Sequence, residues 1–256
     1  MFGFLIKKSF FDLWDHFLPA ILVNLGFIAI LALPILLPAA VIAVSPVLGL
    51  VVFVLGALCV FVYLGGASTF ARRVTDYVEP EWREFFASIK DQWFHSTLFG
   101  VLVLAHLGLI SIALPVYTGM GSMIGLFALA VLFWISMIWW LTCLYIFPVR
   151  SRLSDKPGQV LRKSLLLLLD NTFFSIAVAV GAIRIMVLSI FTAFLIPGIS
   201  GVMIWLQTAV KLRLYKYDYR EETNEKGPIP WDTLLYQDRE RVGKRTLRGM
   251  IFPWKE

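Results

Sequence analysis

The sequence predicts an all-α polytopic membrane protein: six transmembrane helices arranged as three hairpins, each preceded by a cytoplasmic interfacial helix. Three observations predict it. The 256-residue chain is 59% hydrophobic and only 16% charged, with a mean hydropathy of +0.80, whereas a soluble domain is nearer half apolar and a quarter charged. The charges are gathered into blocks separated by long apolar stretches. Helix-breaking residues divide each stretch near its middle. So little charge does not cover a water-soluble surface of this size, which argues against a soluble enzyme, a disordered chain and a collagen-like chain alike.

Charge is absent from Phe17 to Phe70 and from Trp93 to Val149, and Arg184 is the one charge between Asn171 and Val210. A spanning helix needs about 20 apolar residues, so each stretch fits two spans. The dividing residues are Pro38 and Ser45-Pro46, then Thr118-Gly119-Met120-Gly121, then Pro197-Gly198. The predicted spans are 17–40, 47–70, 95–117, 122–147, 172–194 and 198–215, and the boundary between the last two is the least defined. No cleavage pattern follows the first apolar run, so it reads as a span and not as a signal peptide.

The turns at 41–46, 118–121 and 195–200 are uncharged, and the remaining connections hold 22 of the 23 lysines and arginines. The positive-inside rule puts both termini in the cytoplasm, and the net charge of +6 is an orientation signal, with no nucleic acid implied. Cys59 and Cys143 lie in apolar runs, which excludes a disulfide framework or cysteine metal cluster.

The segments entering spans one, three and five are alike. Each mixes basic, apolar and polar residues, and aligning His16, His95 and Asn171 gives spacings of 79 and 76. The exits match too: Arg72-Arg73, Arg150 with Arg152, and Lys211 with Arg213. In the second segment Trp82, Phe85, Phe86, Ile89 and Trp93 recur at helical spacing among polar residues, the pattern of a helix lying in a membrane interface. Glu79-Pro80-Glu81 and Asp155-Lys156-Pro157 are expected helix starts.

Several of these runs together resemble the YesL-type bacterial membrane proteins. They are Phe10-Phe11-Asp12-Leu13-Trp14, the run Gly65-Gly66-Ala67-Ser68-Thr69, the helix Phe85-Phe86-Ala87-Ser88-Ile89-Lys90-Asp91-Gln92-Trp93, Tyr145 to Arg150, and a leucine-rich lead before Asp170-Asn171. The resemblance covers about residues 5–215. It implies a bacterial cytoplasmic (inner) membrane location and a carbohydrate-uptake setting, since such proteins are often encoded beside carbohydrate ABC transporters. It transfers no catalytic residue. The 40 residues after Lys216 extend beyond it.

Polar residues inside spans are costly and face the bundle interior as a rule. Arg184, His106, Asn24 and Gln207, with Thr208, are therefore expected to form one polar cluster, a site for an anionic or polyhydroxy ligand anchored by Arg184. Two blander readings stand beside it: a structural bond from Arg184 to Asn24, a hydroxyl or a freed carbonyl, and snorkelling of Arg184 to the headgroups. No acidic residue lies in a span, which argues against a carboxylate relay. His95 and His106 are 11 residues apart on one helix, about 16 Å by rise, too far to share a metal. No cofactor or metal is expected, and no phosphate loop or nucleophile elbow is present in the sequence. Gly65-Gly66 reads as close helix packing, Pro34, Pro38 and Pro115 as kinks, and Trp134, Trp139, Trp140 and Tyr145 as lipid-facing or interfacial aromatics.

Residues 217–256 form a cytoplasmic tail with charges of both signs. Asp232 is expected to cap a short helix through Arg241. The residues expected to dock on the membrane surface or a partner are Trp231, Lys244, Arg245, Arg248, Phe252 and Trp254. The leading expectation is a non-enzymatic accessory or regulatory membrane protein. It would work beside the lipid bilayer as a subunit or partner of a larger assembly, such as a carbohydrate ABC transporter, or as a homo-oligomer. The alternative is a small-molecule transporter or channel with its site at Asn24, His106 and Arg184. A lipid-active enzyme is disfavoured, because no acid–base pair lies at a suitable depth.

Overall fold

The computed structural model describes residues 1–153, 156–223 and 227–245. Every regular element among them is a helix. α1 (Phe2–Asp15) leads into α2 (Phe17–Val41). α3 (Pro46–Thr75), α4 (Trp82–Gly119) and α5 (Met123–Arg152) follow, then α6 (Pro157–Asp170), α7 (Thr172–Phe191) and α8 (Gly198–Thr223). Two short helices, α9 (Trp231–Leu234) and α10 (Tyr236–Val242), end the described chain. Five helices, α2 to α5 and α7, are long and apolar enough to cross a membrane. They turn large apolar side chains outward, as at Phe173, 90% exposed, and Met123, 83% exposed, a surface suited to lipid.

Local signals set the starts. Ser45 accepts the Leu48 amide at 3.4 Å ahead of Pro46, and Ser122 accepts the Gly125 amide at 3.3 Å, each answering one of the unpaired donors of a first turn. Two of the three helices expected in the interface are separate elements. α1 stops at His16 (φ −114°, ψ 35°) and α6 at Asn171 (φ −138°, ψ 43°). Pro19 explains the first break: it is tolerated in the first turn of α2 but would lack its bond in a helix running on from α1. Asn171 donates its side-chain amide to the Leu167 carbonyl at 3.2 Å, competing locally with the helix ladder. The expected break at His95 does not occur. Residues 82–99 hold neither proline nor glycine, so nothing interrupts the ladder, and α4 runs through as one helix of 38 residues. The internal repeat is thus mirrored at its first and third units only.

α3 packs on both α2 and α4. Its contact with α4 depends on Gly65 and Gly66, where a β-carbon would collide with Ser96 and Ile89. The sequence reading of these glycines as close-packing positions holds.

α8 is the enclosed helix. Every residue from Gly198 to Val210 is buried, against α1, α2, α3, α5 and α7. It is absent from the set apolar enough to cross a membrane, and it runs past the expected end at 215 to Thr223. Its N-terminus meets α2 at Asn24, which bonds Leu195, Pro197 and Ser200. At the same level Tyr63 of α3 donates to the Val23 carbonyl at 2.7 Å. Beyond that level α2 continues to Val41 and α3 begins at Pro46, 17 residues in each case, or about 25 Å of helix. The α7–α8 pair therefore stops well short of the uncharged end that α2 and α3 reach.

The tail folds back on the charged end. The expected helix from Asp232 is broken at Leu235 into α9 and α10, and Asp232 caps neither; it pairs with Arg239 at 2.6 Å. Leu235, Asp238 and Val242 are buried.

Candidate functional site

Burying α8 buries its polar side chains with it, and each needs a partner. Gln207, fully buried, donates to the Ser68 carbonyl at 3.0 Å, the Ser68 hydroxyl at 2.9 Å and the Ser151 hydroxyl at 2.8 Å. Its carbonyl accepts from Arg152 Nε at 2.6 Å. The same guanidinium reaches both carboxylate oxygens of Asp76, at 3.0 and 3.1 Å, and the Thr75 hydroxyl at 2.8 Å. One turn on, Lys211 bonds the Thr75 carbonyl at 2.9 Å and lies 3.4 Å from Asp76 and 3.3 Å from Asp238.

Asp238 brings the tail into this network. It accepts from the Tyr215 hydroxyl at 3.0 Å, and it lies 3.8 Å from the ammonium of Lys8. Lys8 is itself buried, pairs with Asp12 at 2.9 Å and sits 3.8 Å over the Tyr77 ring. Burial pushes the Asp12 carboxyl up to about 6, against the pull of Lys8. Burial alone would raise Asp238 as well, but Lys211 and Lys8 outweigh it and hold that carboxyl below the usual range. Burial lowers the Lys8 ammonium despite Asp12. A second knot ties α6 to α8: Lys216 bonds Asp170 at 2.6 Å and Asn171 at 3.0 Å, and the Tyr217 hydroxyl donates to Asp170 at 2.6 Å.

The four residues expected to form one membrane site are dispersed. Asn24 closes the α7–α8 connection, donating to the carbonyls of Leu195 at 2.8 Å and Pro197 at 3.0 Å and accepting the Ser200 amide at 2.8 Å. Gln207 lies seven residues past Ser200 along α8, about 10 Å by rise, inside the ionic network. Arg184 is exposed on the outer face of α7 beside exposed Ile183. The expectation that it faces the bundle interior therefore fails. Helix phase explains this: Ala182, Val178 and Ser175 take the inner face, and Arg184 falls outside it. His106 packs against Trp139 and Trp140, with ring centroids 5.6 and 5.8 Å away, and touches none of the other three. Thr208 is spent on the Ile204 carbonyl at 2.8 Å.

No family model, no curated protein and no solved structure matches the chain.

The tail residues divide. Trp231 packs against the core, and Arg245 pairs with Asp15 at 2.8 Å and lies 4.5 Å from the Phe11 ring. Lys244 is exposed. Arg248, Phe252 and Trp254 lie outside the described residues. What is described of the tail is docked on its own chain.

The charged end also opens into a polar cleft of about 440 Å³ between α3, α4 and α5, lined by Thr69, Arg72, Asp91, Gln92, Arg150 and Arg152. A narrow apolar groove between α4, α5 and α6 adjoins it and shares Arg150. In the sequence these arginines read only as topology signals. The missed clue was Asp76, an acid three residues past Arg73, which draws Arg152 and Lys211 to one point.

Proposed function

We propose that the protein is a non-enzymatic membrane protein of three helical hairpins, both termini in the cytoplasm, in the bacterial inner membrane. Its role is that of an accessory or regulatory subunit of a larger membrane assembly. The observation that carries this reading is where the buried polar groups go. Asn24 and Gln207 are spent on internal bonds, and the charges converge on a closed network at one end. Such a molecule is a stiff scaffold with an apolar flank and a structured cytoplasmic face. A transporter needs polar groups gathered around a path, and Asn24, His106 and Arg184 are apart.

Parity supports the shared side of the termini. α8 returns to Asp76 and Arg152, where α1 also meets the tail, so the α7–α8 pair adds an even count whatever its depth. The resemblance to YesL-type proteins supports a carbohydrate transporter as the larger assembly. Cross-linking in native membranes, then mild-detergent purification and mass analysis, tests this. The expected result is a defined complex with another membrane protein in fixed stoichiometry. A lone monomer under those conditions overturns it.

A further inference from the structure

We propose that the polar cleft and the adjoining groove together hold one anionic phospholipid, its phosphate at Arg72 and Arg150 and an acyl chain along the groove. This does not depend on the accessory role.

Three observations converge. The first is charge. Arg72, Arg150 and Arg152 line the cleft, and Lys163 reaches its rim by donating to the Leu153 carbonyl at 3.1 Å. Among the described residues Asp76 and Asp91 oppose them, and Asp76 is shared by Arg152, Lys211 and, at 3.7 Å, Arg72. The balance of the described lining residues is positive, and guanidinium forks match phosphate oxygens in pairs. Arg72 uses one nitrogen on the Ser151 carbonyl and holds its Nε 3.7 Å from Asp76, and a guanidinium has five N–H donors, so donors remain for a phosphate.

The second is continuity. Arg150 belongs to both spaces. Past it the wall turns apolar, with Leu98, Leu102, Phe147, Val160 and Leu161. His95 lines the groove near this junction, and its Nδ1 is buried without a partner among the described residues. In the tautomer protonated there it supplies a donor where a glycerol ester carbonyl would fall. A free phosphate has no use for the groove; a two-part ligand with a charged head and a hydrocarbon chain uses both.

The third is depth. Trp93 and Phe94, adjacent in sequence to Gln92 of the cleft and His95 of the groove, are 57% and 54% exposed. Exposed aromatics beside a basic pocket at the end of apolar helices mark the headgroup level.

The test uses the full chain in mild detergent and native mass spectrometry. The protein is offered equimolar phosphatidylglycerol and phosphatidylcholine of matched chains, with inorganic phosphate as a separate arm. The expected result is one phosphatidylglycerol retained about tenfold over phosphatidylcholine. R72Q with R150Q should abolish the preference. L102W should reduce retention of both lipids by filling the groove. D91N, at an exposed position, should raise phosphatidylglycerol retention and keeps the test open if the arginine pair fails to fold. Equal retention of the two lipids overturns the proposal, as does a D91N protein with unchanged retention. Competition by millimolar inorganic phosphate together with an unaffected L102W protein identifies a free-phosphate site and overturns the lipid assignment.

Discussion

The carboxamide of Asn24 occupies the space into which a β-carbon on Gly198 would project. Gly198 is also at φ +58°, a conformation that glycine adopts without strain and other residues seldom adopt. The two residues fit each other: one has no side chain, and the other uses its amide on both Leu195 and Pro197 and its carbonyl on Ser200. Gly198→Ala should cost more than 2 kcal/mol, roughly the sum of backbone strain and a displaced Asn24. Asn24→Asp should be as damaging as Asn24→Ala, because a carboxylate cannot donate to two carbonyls. Thermal unfolding in detergent checks both; a wild-type melting temperature for Asn24→Asp would refute the clamp.

The network of Lys8, Asp12, Lys211 and Asp238 predicts a stability maximum in mild acid. Burial, opposed by Lys8, raises Asp12 to about 6. The folded chain therefore takes up that proton before the unfolded chain does, and stability falls as pH rises from about 4 to about 6. Asp238 is held below its ordinary value by Lys211 and Lys8 against burial, so its contribution is complete above about 4 and is lost as pH falls further. Melting temperature should rise on acidification from pH 7 to about 5 and fall below 4. Asp12→Asn should flatten the upper limb, and Asp238→Asn should lower stability at pH 7 and weaken the acid limb. Melting curves of the three proteins from pH 3 to 8 decide; an unchanged upper limb in Asp12→Asn refutes the assignment.

The apolar helices were legible in the sequence because lipid imposes length and charge sorting together. The observed starts of α2, α3, α5 and α7 lie within a residue of the expected 17, 47, 122 and 172. The continuity of α4 was not legible, because an interfacial helix and a span share good helix formers and only a missing breaker separates the outcomes. The candidate site was misjudged for a different reason. Depth along a helix can be counted from sequence, but the direction a side chain faces depends on which neighbours are packed. Asn24 and Gln207 were correctly singled out as buried polar residues, whereas Arg184 fell outward.

Arg184→Met should leave stability within about 0.5 kcal/mol of wild type, as expected of an exposed position without a specific role. Arg152→Met should cost about 3 kcal/mol, because it strips the Gln207 carbonyl and Asp76 of their shared donor. Equilibrium unfolding of the pair in mixed micelles compares them. Equal losses would mean that Arg184 is held by contacts its exposed position does not reveal.

The short α7–α8 pair makes a prediction about access. If its connection stops about 25 Å below the outer ends of α2 and α3, residue 195 lies within the membrane while residues 44 and 120 lie at its surface. In a background with Cys59 and Cys143 replaced, single cysteines at Val44, Met120 and Leu195 report this directly. Val44 is 82% exposed and Met120 52% exposed, and both should react rapidly with a charged, membrane-impermeant maleimide applied from outside. Leu195 is 39% exposed, enough to react if water reached it, yet it should label at least tenfold more slowly. Denaturing the membranes should bring the three rates together, which separates shielding by lipid from poor reactivity of the site. Rapid labelling at 195 in intact membranes would show that α7 and α8 reach the outer surface, and that the level set by Asn24 is not the level of the bilayer interior.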